Sequence, residues 1–141
     1  MDAEKMQDTS GVHIWLVLMK AFHALAAHAE ESLKLSQLGL GNSDFRVLEA
    51  LRHKGPLPVN AIGPKVWLTP GSISIAVDRV EKKALVKRNT TDDRRVRPVE
   101  LTANGRALTT TISRKHAAAM EEAWRFILPL SISSAGVFTA P

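Results

Sequence analysis

Apolar residues recur at three- and four-residue intervals along most of this chain and switch to every second position only between Val99 and Leu101, a pattern that predicts helices around one short ribbon. The first helix starts from an N-cap at Thr9 or Ser10. It runs through Trp15, Leu18, Met19, Phe22, Leu25 and Ala26 to Leu33, with Gly39 as its stop. Ser43-Asp44 caps a second helix, which carries Phe45, Leu48 and Leu51 and ends at Gly55-Pro56. Val59 to Val66 fit a short third helix behind Pro58.

The fourth helix has the clearest signals. Thr69 is a good N-cap, Pro70 sits where the missing N–H costs nothing, and Ile73, Val77, Val80 and Ala84 form one narrow apolar stripe. At 100° per residue the opposite face holds Gly71, Ile75, Asp78, Arg79 and Lys82, with Ser72 and Ser74 on its flanks. Ile75 is therefore expected to point outward on a polar surface. Next come a strand-like Val86 to Arg88, a polar turn from Asn89 to Asp92, and the alternation of Val99 and Leu101. This is a hairpin, and because proline cannot donate to a central ladder, Pro98 predicts two strands with an exposed edge. Thr102 caps a last helix bearing Leu108, Ile112, Met120 and Trp124, which Pro129 ends; residues 130–141 show no period.

The order of elements predicts a mainly α fold with a small β-hairpin wing. Helices three and four, joined by a few residues and followed at once by the hairpin, form a winged helix-turn-helix, whose second helix enters the major groove of DNA. Charge sharpens this. The net charge of +5 is concentrated between Arg79 and Arg97, where eight basic residues face three acids, as a polyanion contact requires. An arginine at the hairpin tip, aimed by an aspartate two residues earlier, suits a narrow electronegative groove.

Other chemistries find little support. The absence of cysteine removes disulfides, thiolate nucleophiles and Cys-ligated zinc. His13, His23, His28, His53 and His116 include no pair three or four apart, so no metal site is expected. No glycine loop cradles a phosphate, no nucleophile motif is present, and no cofactor or enzymatic activity is implied. The apolar run from Ile14 to Leu25 is interrupted by Lys20 and His23 and falls short of a membrane span; with no signal peptide either, a cytoplasmic chain is expected.

The segment Thr91 to Gly105, "TDDRRVRPVELTANG", carries a specific resemblance. It resembles the wing signature D-x-R-x-x-x-V-x-L-T-x-x-G of the MarR family of bacterial transcription regulators, met at Asp93, Arg95, Val99, Leu101, Thr102 and Gly105. The upstream "LTPGSISIAVDRVEKKALVKR" is similar to that family's recognition helix and first wing strand, so the likeness spans about Gly39 to Arg114. "HKGPLPVNAIGPKVWLTPGSISIAVDRVEKK" resembles most the quinone- and catechol-responsive branch.

The resemblance implies one domain, 1–141: dimerisation helices 9–38 and 102–128, a winged helix-turn-helix lobe 43–101 and an irregular tail 129–141. It implies a homodimer on an inverted-repeat operator, with Arg95 in the minor groove and Asp93 positioning it. Ser72, Ser74 and Ile75 are the expected base readers, and Arg79, Lys82, Arg94 and Arg97 the expected backbone contacts. Many relatives have arginine where Ile75 stands, so a guanine contact gives way to packing on a thymine methyl. A small aromatic effector pocket is implied between the dimerisation helices and the lobe, with His13, Trp15, Phe45 and Arg52 as candidates. Relatives add a sixth helix where this chain has "LPLSISSAGVFTAP". The function implied is a sequence-specific regulator, a repressor relieved by a small phenolic ligand. The competing reading is a winged-helix protein–protein module whose basic hairpin meets an acidic partner and which binds DNA only nonspecifically.

Overall fold

The computed structural model describes residues 11–34, 39–93 and 97–135, with side chains in the last helix as far as Phe126. The elements are α1 (Gly11–Lys34), α2 (Asn42–Lys54), β1 (Leu57–Pro58), α3 (Val59–Val66), α4 (Pro70–Lys82), β2 (Val86–Arg88), β3 (Pro98–Leu101) and α5 (Ala103–Ala135). The mainly α architecture with a small wing is the expected one. The proposed caps Thr9 and Ser10 lie outside the described residues, as do wing-tip residues 94–96 and the last six residues.

The chain divides into two compact units, residues 33–115, and residues 1–32 with 116–141. Each has its own reason to hold together. In the first, Leu33, Leu48, Leu51, Ile62, Ile73, Val77, Val80, Val99 and Ile112 join in one buried cluster. In the second, His28 Nε2 lies 3.0 Å from the Ala119 carbonyl and His116 Nδ1 lies 3.2 Å from Ser32 Oγ, tying α1 to α5 beside buried Ala29 and Ala123.

Several local expectations change. Gly41, not Ser43-Asp44, is the N-cap of α2: Phe45 N–H closes the first turn on the Gly41 carbonyl, and Asp44 reaches back from inside the helix to accept from Gly41 N–H at 3.1 Å. A carboxylate in the first turn satisfies a donor the helix leaves free and suits its positive end. The sheet has three strands in the order β1-β3-β2, not two. Leu57 pairs with Val99 and Pro58 with Pro98, so the strand carrying Pro98 is central. Pro98 is tolerated there because it begins the strand: its carbonyl accepts from Asn89 N–H at 2.8 Å, and the ladder ends at the return bond proline cannot make.

Ala84 does not extend the buried stripe of α4. The helix stops at Lys82, and Ala84 is exposed at φ 57°, with Leu85 N–H bonded to the Val80 carbonyl and Ala84 N–H to that of Glu81. This is a Schellman close, in which an alanine costs about 1–2 kcal/mol where a glycine would not. Ala76 completes the stripe instead. Trp67 closes α3 in the same left-handed region, at φ 55°.

Pro129 does not end the last helix, which continues to Ala135, so the tail expected to be irregular from residue 129 is helical through its first seven residues. Proline removes its own donor and strains one turn, but its fixed φ is helical and the ladder resumes beyond it. The expectation that α1 is too short for a membrane is also corrected: by length and composition alone this 24-residue helix is long and apolar enough to cross one. The same length and composition suit a helix that packs on another chain.

Candidate nucleic-acid interface

The face of α4 follows from its start. Thr69 Oγ1 accepts from Ser72 N–H at 3.2 Å and donates to Ser72 Oγ at 2.9 Å, while Pro70 takes the first helical position. With Ile73, Ala76, Val77 and Val80 in the core, Gly71, Ser72, Ser74, Ile75, Asp78, Arg79 and Lys82 are all exposed, as the periodicity predicts. Ile75 keeps 58% of its surface. Ser74 Oγ donates to the Pro70 carbonyl at 3.1 Å, so its free lone pairs equip it to accept, which on a base edge means an adenine or cytosine amino group.

Two arginines brace this helix through three ion pairs. Arg79 Nε donates to Asp44 Oδ1 at 2.9 Å, and a second guanidinium nitrogen lies 2.8 Å from the same oxygen; the Asp44 side chain is 2% exposed, that of Arg79 49%. A carboxylate that deep is tolerable only when paired and hydrogen-bonded, and Asp44 is both. Arg79, expected at a phosphate, is thus first of all the anchor of α4 on α2. Arg88 of β2 clamps the helix as well, with 2.7 Å to Asp78 and 3.1 Å to Glu81. Sequence reasoning counted Arg88 only as charge. Arginine and carboxylates seven and ten residues apart across a turn were the available signal.

Pairing reaches further along the basic segment. Lys87 meets Glu100 at 3.0 Å and Lys83 Nζ donates to the Gly39 carbonyl at 3.2 Å. The excess positive charge is therefore less available than its sum suggests. Lys82 and Arg97 are exposed; Arg94 and Arg95 lie outside the described residues. Asp93 is exposed at the wing turn, where its carbonyl accepts from Thr91 Oγ1 at 2.7 Å.

The second half of the wing signature has a structural meaning that its sequence conceals. Val99 and Leu101 fill the core from the central strand. Thr102 N–H donates to the Leu85 carbonyl and Thr102 Oγ1 to that of Ala84 at 2.8 Å, while the same hydroxyl accepts from Gly105 N–H at 2.9 Å. One threonine thus caps α5 and fastens it to the end of α4. Gly105 is there because a Cβ would sit 1.8 Å from the Leu85 carbonyl oxygen.

The four effector candidates are divided between the two units. His13 and Trp15 lie on α1 in one unit, Trp15 being 58% exposed; Phe45 is 7% exposed in the core of the other. Arg52 is committed to Glu49 at 2.8 Å. Glu49 gathers His53 at 3.2 Å and the Ser113 hydroxyl as well. Burial pushes the Glu49 carboxyl up, but hydrogen bonds from Arg52 and Ser113 and the charges of Arg52 and His53 outweigh it and hold its pKa below the ordinary value. His28 and His116, whose spacing offered no paired role, are ties between helices.

Known proteins share this geometry. A sequence model of the MarR family matches residues 40–96. The chain is 36% identical over 110 residues to the HTH-type transcriptional regulator MhqR of Bacillus subtilis (strain 168), covering 77% of this chain and 74% of that protein. Of solved structures, a probable transcriptional regulator from Pseudomonas aeruginosa aligns with a TM-score of 0.69 at 26% identity, covering 79% of this chain and 83% of that one. Reduced AbfR bound to DNA aligns at 0.65 and 24% identity, covering 83% and 85%, a likeness of fold. With its braced recognition helix, three-stranded wing and these relatives, the chain belongs to the MarR family of DNA-binding transcriptional regulators.

Proposed function

We propose that the protein is a homodimeric repressor acting in the cytoplasm, reading an inverted-repeat operator with α4 and the wing and released by a small aromatic, phenolic ligand. The observation that carries the reading is the outward face of α4: Ser72, Ser74 and Ile75 stand exposed on a helix held by Arg79–Asp44 and Arg88–Asp78/Glu81. A rigid mount is what base readout demands, because discrimination of about 1–3 kcal/mol per contact is lost if the reader can move away. Two-fold pairing is supported by the apolar residues α1 and α5 leave in water, Val12, Trp15, Leu18, Phe22, Trp124 and Phe126, each more than half exposed. The fold relative AbfR was solved on DNA.

Release would follow from a ligand binding better to the dimer whose recognition helices are misplaced for successive grooves. His13, Trp15, Phe45 and Arg52 are its proposed neighbours, and the resemblance to the quinone- and catechol-responsive branch suggests the phenolic class. The test is selection from random duplexes by the purified chain at physiological salt. Recovery of an inverted repeat with half-sites about 10 base pairs apart is the expected result. Arg95→Ala should then lower the salt slope of binding by about one unit. A pool without enrichment would favour the protein–protein module.

A further inference from the structure

Among the described residues of the lobe, two large apolar side chains are left exposed, and both flank the start of α4: Ile75 at 58% and Trp67 at 88%. Ile75 has a role in the reading above. Trp67 has none, and its position is costly twice over. It exposes nearly a whole indole, and it does so at φ 55°, a left-handed conformation that glycine adopts freely and a bulky aromatic does not. Neither the turn nor the core explains a tryptophan there: its backbone favours glycine, and its ring lies outside the buried cluster.

The place it occupies is specific. Trp67 closes α3 two residues before the N-cap of α4, so it sits in the turn of the helix-turn-helix, with exposed Lys65 in the turn before it. When the second helix of such a motif enters the major groove by its N-terminal residues, the first crosses the phosphate backbone, and the turn between them lies over the strand bordering the groove. An indole has one N–H donor and no acceptor, which matches a phosphate oxygen, and a flat apolar face, which matches a deoxyribose. Lys65 adds positive charge beside it.

We infer that Trp67 is a contact of the DNA backbone, its N–H donating to a phosphate and its ring packing on the neighbouring sugar, so that it sets how far α4 sinks into the groove. The inference rests on the reading of the chain as a DNA-reading regulator. Strain and contact make opposite demands on this residue, which provides the test. Trp67→Gly relieves the left-handed backbone and should raise the melting temperature, yet weaken binding to the duplex enriched by selection by more than about tenfold, because the lost hydrogen bond to a charged group is alone worth about that much and the ring contact is lost with it. Because the indole is neutral, the salt slope should not change. Trp67→Phe, which keeps the ring and loses the donor, should fall between.

Equal affinity of wild type and Trp67→Gly for the enriched duplex would overturn the inference and leave the regulator reading intact. So would a Trp67→Gly chain that is less stable and weaker in proportion, since the ring would then act through the fold. If no duplex is enriched, the regulator reading itself falls and takes this inference with it.

Discussion

The lobe of residues 33–115 and the α1 helix are built from the same kinds of side chain and treat them in opposite ways. In the lobe, Leu48, Ile62, Val77, Val80 and Val99 have no exposed surface, whereas on α1 Val12, Trp15, Leu18 and Phe22 are more than half exposed. At about 25 cal/mol per Å² of apolar surface, a row of such residues in water is a standing penalty that a partner surface would remove. The lobe closes on itself; α1 leaves its apolar row exposed. The polar groups divide likewise. The lobe commits Arg79 and Arg88 internally, to Asp44, Asp78 and Glu81, and so holds the orientation of one helix, while α1 and α5 are joined by two histidine hydrogen bonds.

That contrast can be broken at its strongest point first. Gly105→Ala drives a methyl into the Leu85 carbonyl, where backbone, not a flexible side chain, must give way; a loss of about 3 kcal/mol or more is expected in urea unfolding. Unchanged stability would mean that the start of α5 is free to shift, and the lobe is less closed than described. On α1, the double change Leu18→Asp with Phe22→Asp should shift the mass in sedimentation from dimer to monomer. It should move the unfolding midpoint of the separately probed lobe hardly at all, since both side chains are exposed in the single chain. A monomeric wild type would remove the partner from the comparison altogether.

Smaller effects sharpen it. Arg79→Ala leaves the buried Asp44 carboxylate with its backbone donor alone and should cost about 2 kcal/mol, less than for a fully buried pair because half the guanidinium is already in water. Operator affinity should fall with it, measured by fluorescence anisotropy. The smallest effect is set by pH. The folded Glu49 carboxyl titrates below its unfolded value of 4.5, so its contribution to stability is whole above that pH and is lost as pH falls through the lower, folded pKa. Urea midpoints taken from pH 6 to 3 should therefore decline less steeply in Glu49→Gln than in wild type. Parallel declines would dismiss the Glu49 network as a stabilising feature of the lobe.

Local signals were legible wherever a residue acts on its own helix. Thr69 and Pro70 mark the start of α4, Ile73, Val77 and Val80 its buried side and Ile75 its outward one, and all are found so. The strand Leu57–Pro58 was not legible, because two residues cannot show alternation and their place is set by the register with Val99 and Pro98. Nor was the role of Asp44: a carboxylate beside a cap looks local, and its partner is 35 residues away. Ala84 was misplaced because helical spacing carries no mark of where the backbone turns left-handed.

Sequence alone determined the kind of molecule: five helices and a wing follow from periodicity and caps, and a thirteen-residue signature names the family, because these depend on neighbours along the chain. Only the tertiary structure decided what the signature is for. Of its six fixed positions, Val99, Leu101, Thr102 and Gly105 are packing, cap and close approach at the seam of α4, β3 and α5. Which arginines of the basic segment are spent inside the lobe was likewise settled by contacts across elements, whose distances no local pattern encodes.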